Sequence, residues 1–418
     1  MTTVNWRTMP LWSLAVETRE SVEPADLGDQ VVHYSIPAVD STGTGQVEAT
    51  DSIKSAKLRL QGGEVLVSKL NPRKSRVLIV TDSPLPIVSS TEFVGLVPGR
   101  SLDSRYLAYF LQSESTRQVL DSQVQSVTRS HQRVSPEDVT HLHVPLPPLQ
   151  EQHRIVDFLD AETTRIDSLA AMRERLVSLL EERMMASWSN VIDQDARDST
   201  WSPIRRFITA ITDGPFGSAL TSSHYSDEGA RVIRLGNLGR AEFRDRDPAY
   251  IPMEYFTQLR RHEALPGDLI VAGLGDQNHP LGRACMVPDD IGPAMVKADC
   301  FRLRLDQRRV LHEYAAWAMS SQRVADQVTL LARGSTRARI NLEVARDIPI
   351  PVPPLERQRR SVAALRETRS STRAITTRCR RQLDILAERR QALITAAVTG
   401  QFDVTTASGR NVTEGVAV

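Results

Sequence analysis

The residues best suited to chemistry are cations and amides gathered in short, turn-rich stretches. Lys69, Arg73, Lys74 and Arg76 fall close together, and Arg129, His131 and Arg133 follow later. A second set holds Arg231, Arg234, Asn237 and Arg240, then Arg333, Arg337 and Arg339 in the segment ARGSTRARIN. A guanidinium group pairs its N–H donors with phosphate oxygens or with the acceptor edge of guanine, and an Asn amide does the same for adenine. Neighbouring Ser, Thr and Gly-flanked backbone N–H groups suit phosphate. For any one cluster a solvated surface explains the charge equally well. The case for nucleic acid is that TRSHQR and GSTRAR stand at nearly equivalent places in two halves of the chain.

Groups that make or break bonds are not evident. There is no Walker A sequence, and Gly273-Leu274-Gly275 has Asn278 where a dinucleotide fingerprint needs its third glycine. No nucleophile elbow and no Asn-Pro-Pro-aromatic run is present, and Pro288-Asp289-Asp290 followed by Lys297 lacks the adjacent acid of a nuclease motif. His141 and His143 alternate on an expected strand, with no Cys or acid read beside them to complete a metal site. Cys285, Cys300 and Cys379 are too few and too scattered for a disulfide framework. No catalytic residue, metal or cofactor is expected in this chain.

The elements that position the clusters come in duplicate. Residues 145–154 read PLPPLQEQHR and residues 351–360 read PVPPLERQRR; the segments lie 206 residues apart and share six of ten positions. The same register holds at Val144 and Ile350, Leu159 and Leu365, Leu180 and Leu386, and Arg183 and Arg389. Further upstream, GGEVLVSKL (62–70) resembles PGDLIVAGL (266–274) at an offset of 204. The period is far too long for a solenoid. Each copy is a whole domain with an element appended.

That element is a helix. Residues 149–192 and 355–399 contain no Gly or Pro, and each stretch follows a double proline, well placed before a helix start. Some 44 residues at 1.5 Å each span roughly 66 Å, more than one such domain needs. Leu159, Ile166, Leu169, Leu176 and Leu180 step at coiled-coil intervals, as do Leu365, Leu386 and Leu393 with Ile375 and Leu383 alongside. Residues 149–186 hold five Arg and eight acids, while 355–392 hold eleven Arg and four acids. Opposite charge favours pairing of the two helices with each other. The surplus charge of the second suits DNA phosphate or an acidic partner.

The fold expected is α+β: two mixed α/β reading domains separated by two long helices that form an antiparallel coiled coil. The boundaries are 1–148 and 193–354 for the domains, 149–192 and 355–400 for the helices, and a tail from 401 to 418. Strands are expected at 63–68, 77–81, 231–235, 268–272 and 294–299, and helices at 103–126 and 311–331. With 52 cationic and 51 acidic residues the net charge is +1, which excludes a general polyanion binder. No apolar run approaches the roughly 18 residues of a membrane span, and no signal peptide is visible, so a cytoplasmic protein is expected.

The junctions PLPPLQEQHRIVDFLD and PIPVPPLERQRR, each opening a long helix, resemble the specificity subunits of type I restriction–modification enzymes. ITAAVTGQFDV (394–404) is similar to the usual end of that family's second helix, and DGPFGSAL with VIRLGNLG to the start of its target recognition domains. The second junction departs from the usual pattern in reading ERQRR for QEQHR. The resemblance spans residues 1–400. It implies that each target recognition domain reads one half of a split double-stranded DNA site while the helices set the spacing. It also implies two methyltransferase subunits that bring S-adenosylmethionine, and a motor–nuclease subunit that uses ATP and Mg. The alternative from the residues alone is a coiled-coil scaffold or adaptor whose globular domains bind protein.

Overall fold

The computed structural model describes residues 6–124, 132–276, 278–331, 339–401 and 404. The chain divides into two compact units. One joins residues 1–174 to 379–418, and the other is residues 175–378.

In the first unit a four-stranded antiparallel sheet runs in the order Ala15–Thr18, Phe93–Pro98, Val65–Ser68, Val77–Ile79. Val65–Ser68 is buried along its whole length because it is covered on both faces. Val65 and Val67 enter the core shared with the helices, while Leu66 enters a second core with Tyr34 and Phe93. Beneath lies a five-stranded mixed sheet, in which Gln30–Tyr34 pairs in parallel with Ile87–Ser89.

The second unit repeats this plan. Its four strands run Ile208–Thr212, Cys300–Leu305, Leu269–Ala272, Ala284–Met286, the same order position for position. Leu269 and Val271 face one core, Ile270 and Ala272 the other. The second sheet has shrunk to three strands, with Ala230–Ile233 parallel to Ala294–Val296. The strand expectations hold with trimmed ends. The helix expectations need correction: 103–126 is two helices, Ser104–Gln112 and Glu114–Ser122, and 311–331 is His312–Met319 and Gln322–Leu331. Each break falls on buried serine. Ser113 leaves the helical region and caps the next turn through Oγ, and Ser320 is tied to Ala241 and Ala284. Such side chains compete with the helix ladder for backbone groups.

The long helices run Leu149–Arg197 and Leu355–Val398. The first passes its expected end by five residues because Ile192, Asp195 and Ala196 are still buried. In the first unit Ile155, Val156, Leu159 and Ile166 share a core with Leu393, Ile394, Ala397 and Val398, and Arg389 and Arg390 pair with Glu162 and Asp167. In the second unit Trp188 and Ile192 pack with Val362 and Leu365, and Arg357 pairs with Asp195 and Asp198. Residue numbers rise on one helix as they fall on the other, so the pairing is antiparallel, and cations of the second helix meet acids of the first. Much of the remaining surplus charge is not free for a partner. Arg366 pairs with Glu313 and Arg373 with Glu242, both on the second domain.

The seam differs in detail from its expected membership. Leu159, Ile166, Leu365 and Leu393 are buried, but Leu176, Leu180, Leu383 and Leu386 are half-buried, and Leu169 (40%) and Ile375 (43%) are exposed. Beside Ile375 it is Thr376 that is buried, and beside Leu169 the half-buried residue is Ala170. One residue is about 100° of helix rotation, enough to turn a side chain off the seam.

The duplicated proline–Gln junction has a physical cause. Gln152 is fully buried; its Oε1 accepts from Asp103 N–H, and its Nε2 donates to Ser101 and Pro147 carbonyls. Gln358 repeats the arrangement with Leu311 N–H and the Arg309 and Pro353 carbonyls. Each glutamine ties a long helix to the helix start of its own domain. Gln152→Leu leaves three backbone groups without their partner and is expected to lower stability by about 1–3 kcal/mol in chemical denaturation.

Candidate nucleic-acid interface

In the first unit the hairpin loop between Val65–Ser68 and Val77–Ile79 carries four of the expected cations. Asn71 and Ser75 take left-handed backbone angles (φ 51° and 45°), which fold Pro72–Lys74 into a single turn and present Arg73 and Lys74 outward. Arg73 meets Asp121 at 2.6 Å, and Lys74 lies 3.7 Å from Asp40. Lys69 is half-buried and its backbone joins Glu92 and Val134. Leu70 bridges Arg133, whose exposed side chain pairs with Glu92. The structure thus gathers Lys69, Arg73, Lys74 and Arg133 around one loop. Arg129 lies outside the described residues.

Arg76 has a different role from the one expected. Its side chain is buried; it grips both oxygens of Asp40 and donates to the Leu70 carbonyl, so it braces the loop and has no free face for DNA. The Arg76 guanidinium holds the Asp40 carboxyl below the usual carboxylate range. A carboxyl whose pKa is lower in the folded state stabilises above its unfolded pKa, and that contribution fades as pH falls through the folded value. Urea denaturation of Arg76→Leu should therefore show a stability deficit at pH 7 that shrinks below about pH 4, where Asp40 protonates.

The second unit has the counterpart loop, residues 273–283. Gly282 (φ 75°) stands where Ser75 stands, and Arg283 where Arg76 stands; Arg283 Nη1 donates to the Leu274 carbonyl as Arg76 Nη1 does to Leu70. Leu274 bridges Arg339, which pairs with Asp299 as Arg133 does with Glu92. Gly273 and Gly275 serve close packing: a Cβ on either would come within 2.7 Å of Phe301 or 2.8 Å of Leu281. Beside this loop runs the turn of Arg234, Asn237 and Arg240. Arg234 donates to the Asp247 carbonyl. Asn237 is buried, accepts from Arg234 N–H and donates to the Arg244 and Arg246 carbonyls, so its amide is committed to its own turn and does not face outward. Arg240 is half-buried at a concave surface. Arg333 and Arg337 lie outside the described residues.

Two further residues carry the site and went unread in the sequence. Arg283 was visible only through alignment of SRVLIV with GRACMV. Arg369, on the second long helix, sits 3.6 Å above the Trp317 ring and donates to the Arg240 and Ala241 carbonyls. Burial lowers its pKa to about 10. It clamps the turn that carries Arg240. Near His141 and His143 the reading also missed an acid: Asp138 shares their concavity, although it is spent on Ser135 N–H in a capping box. Among the described residues no cluster of His, Cys, Asp and Glu is fit to hold a metal, and no helix is long and apolar enough to cross a membrane.

The class defined by this geometry is a duplicated α/β head, each copy bracing a hairpin loop with a buried arginine (Arg76, Arg283), setting an Arg–acid pair beside it, and tied by a buried glutamine to an antiparallel helix pair. Residues 34–176 match the family described as the type I restriction modification DNA specificity domain. The chain is 19% identical over 290 residues to the type I restriction enzyme MjaVIII specificity subunit of Methanocaldococcus jannaschii, covering 65% of each protein. It is 22% identical over 340 residues to the putative MjaX specificity subunit of the same organism, covering 77% of this chain and 75% of that one. The first of these matches thus spans just under two thirds of its relative's length. A chain in a solved structure concerned with complex assembly and conformational transition of the type I R-M system superimposes with a TM-score of 0.76 at 20% identity, over 95% of this chain and 98% of that one. The HsdS subunit of Thermoanaerobacter tengcongensis gives 0.52 at 20% identity, over 95% and 97%. Over these stretches the chain is similar to specificity subunits of type I restriction–modification systems, and it shares their fold.

Proposed function

We propose that this chain reads a bipartite, gapped site in double-stranded DNA for a type I restriction–modification enzyme in the cytoplasm. Each head recognises one half-site, and the helix pair fixes the unread spacing and docks two methyltransferase subunits. Adenine methylation with S-adenosylmethionine, and ATP- and Mg-dependent cleavage by a motor–nuclease subunit, belong to those partner chains. The observation that carries this reading is the repetition of one head plan, with the same Gln anchor and the same Arg–acid pair beside a hairpin loop braced by a buried arginine, on a single chain. Two such heads suit a site in two parts, because half-sites on one face of a duplex must lie about one helical turn, or a multiple of it, apart. Exposed Arg73, Lys74, Arg133 and Arg339 supply phosphate contacts, and base edges are read within the same loops.

Methylation-site sequencing of a host that carries this chain with its methyltransferase tests the proposal. A split methylated motif that disappears on deletion is expected. Exchange of residues 1–148 for those of another specificity subunit should change one half of the motif and leave the other. An unchanged methylome would leave the adaptor reading in its place.

A further inference from the structure

Arg76 and Arg283 occupy the same place in the two heads but differ in charge balance. Arg76 holds the carboxylate of Asp40. Arg283 is also buried, yet among the described residues its Nε, Nη1 and Nη2 donate only to the carbonyls of Leu238, Leu274, Pro280 and Leu235. Carbonyl dipoles satisfy those N–H groups but carry no net charge. A buried cation without a counter-ion is costly, and a fixed field of one sign draws an anion to it.

Arg283 lines a cavity of about 870 Å³ in the second unit. Arg240 lines the same cavity, half-buried, and its guanidinium has no hydrogen-bond or ion partner among the described residues. Burial lowers the pKa of both arginines. Arg244 reaches His279 on the cavity wall at 3.4 Å. The one carboxylate among the lining residues is Asp276, which is exposed and engaged by His279 and by the N–H groups of Asn278 and His279. Two lining guanidinium groups, Arg240 and Arg283, against one carboxylate leave the cavity cationic.

We propose that this cavity binds a phosphate group, and that the group is a backbone phosphate of the bound DNA, drawn there by Arg240 and by the buried charge of the carbonyl-bound Arg283 behind it. The proposal rests on the DNA-reading function above and adds to it an anion site that does not depend on sequence. Arg283 spans four carbonyls, so its removal threatens the fold. Arg240→Gln and Gly236→Asp are the informative variants. Gly236 lines the cavity, and a Cβ there meets nothing within 4 Å, so an aspartate supplies an internal counter-ion.

The first arm measures thermal unfolding of the full-length chain in sodium phosphate against sodium chloride of equal ionic strength. The second measures the salt dependence of binding, by the chain assembled with its methyltransferase subunits, to a duplex carrying the methylated motif. Phosphate should raise the Tm of the wild type and not of Gly236→Asp. Both variants should lower the slope of log K against log salt by about 0.9, the value for one phosphate contact, with the methylated motif unchanged. An unchanged slope in both variants, with circular dichroism showing native fold, overturns the proposal. A phosphate-dependent rise in Tm with an unchanged slope assigns the cavity to a free phosphate and overturns the DNA assignment. A wild-type complex that binds no duplex overturns the DNA-reading function itself.

Discussion

Trp188→Ala is expected to lower the stability of the second unit by about 3–5 kcal/mol, the range for removing a large aromatic from a packed core. Trp188 is 2% exposed, meets Trp317 edge to face at 5.0 Å between centroids, and donates its indole N–H to the Trp317 carbonyl. Around it pack Ile192, Tyr314, Val362 and Leu365. Truncation removes apolar area, an aromatic pair and a buried hydrogen bond together, and leaves a cavity that Arg369, stacked on Trp317, cannot fill without releasing the Arg240 turn. Hydrogen exchange followed by mass spectrometry is the suitable measurement. Protection should fall in 188–192, 239–242, 312–319 and 362–369 and persist in the strands of the first unit. A loss of less than about 1 kcal/mol would mean that the two tryptophans do not hold this end of the helix pair.

Asp195→Ala should cost about 3 kcal/mol, the lower end of the range for breaking a buried ion pair. Asp195 is 1% exposed and accepts from Arg357 Nε at 2.6 Å and Ser361 Oγ at 2.7 Å. Arg357 keeps Asp198 at 2.7 Å, which limits the loss. The double-mutant cycle with Arg357→Met separates the pair from the packing: a coupling energy near zero in urea denaturation would contradict the role given to it. Asp195→Asn keeps the shape and should recover part of the stability through Ser361. In the assembled enzyme the same substitution should weaken methylation of the whole motif, because it loosens the helix pair without touching a reading loop.

Much of this architecture was legible in the residues. Double prolines, a glutamine at one place in each copy and long runs without Gly or Pro marked the helices, and opposite charge marked them as partners. Val65–Ser68 and Leu269–Ala272 stood out as apolar runs flanked by turn residues. What was hidden depends on neighbours far along the chain. Arg76 is spent on Asp40, 36 residues away, and nothing in NPRKSR separates it from Arg73 beside it. Asn237 looked like a reader of bases because its side chain can be one; the turn it closes uses both ends of the amide. Leu169 and Ile375 look like seam residues by type, but the seam follows position: both are exposed, while Thr376 beside Ile375 is buried. The serine breaks at Ser113 and Ser320 follow from local hydrogen bonds that helix propensity alone does not weigh.

The division of the chain has a consequence for synthesis. Residues 175–378 form one uninterrupted stretch, whereas the first unit needs residues from both ends of the sequence. Its core includes Leu393, Ile394, Ala397 and Val398, and the Val398 carbonyl receives the Tyr106 hydroxyl. The first head to leave the ribosome is therefore the last to be completed, and must wait with part of its apolar surface uncovered until the end of the second helix arrives. A nonsense codon near position 385 should spare the second head, whose segments precede it, and expose the first.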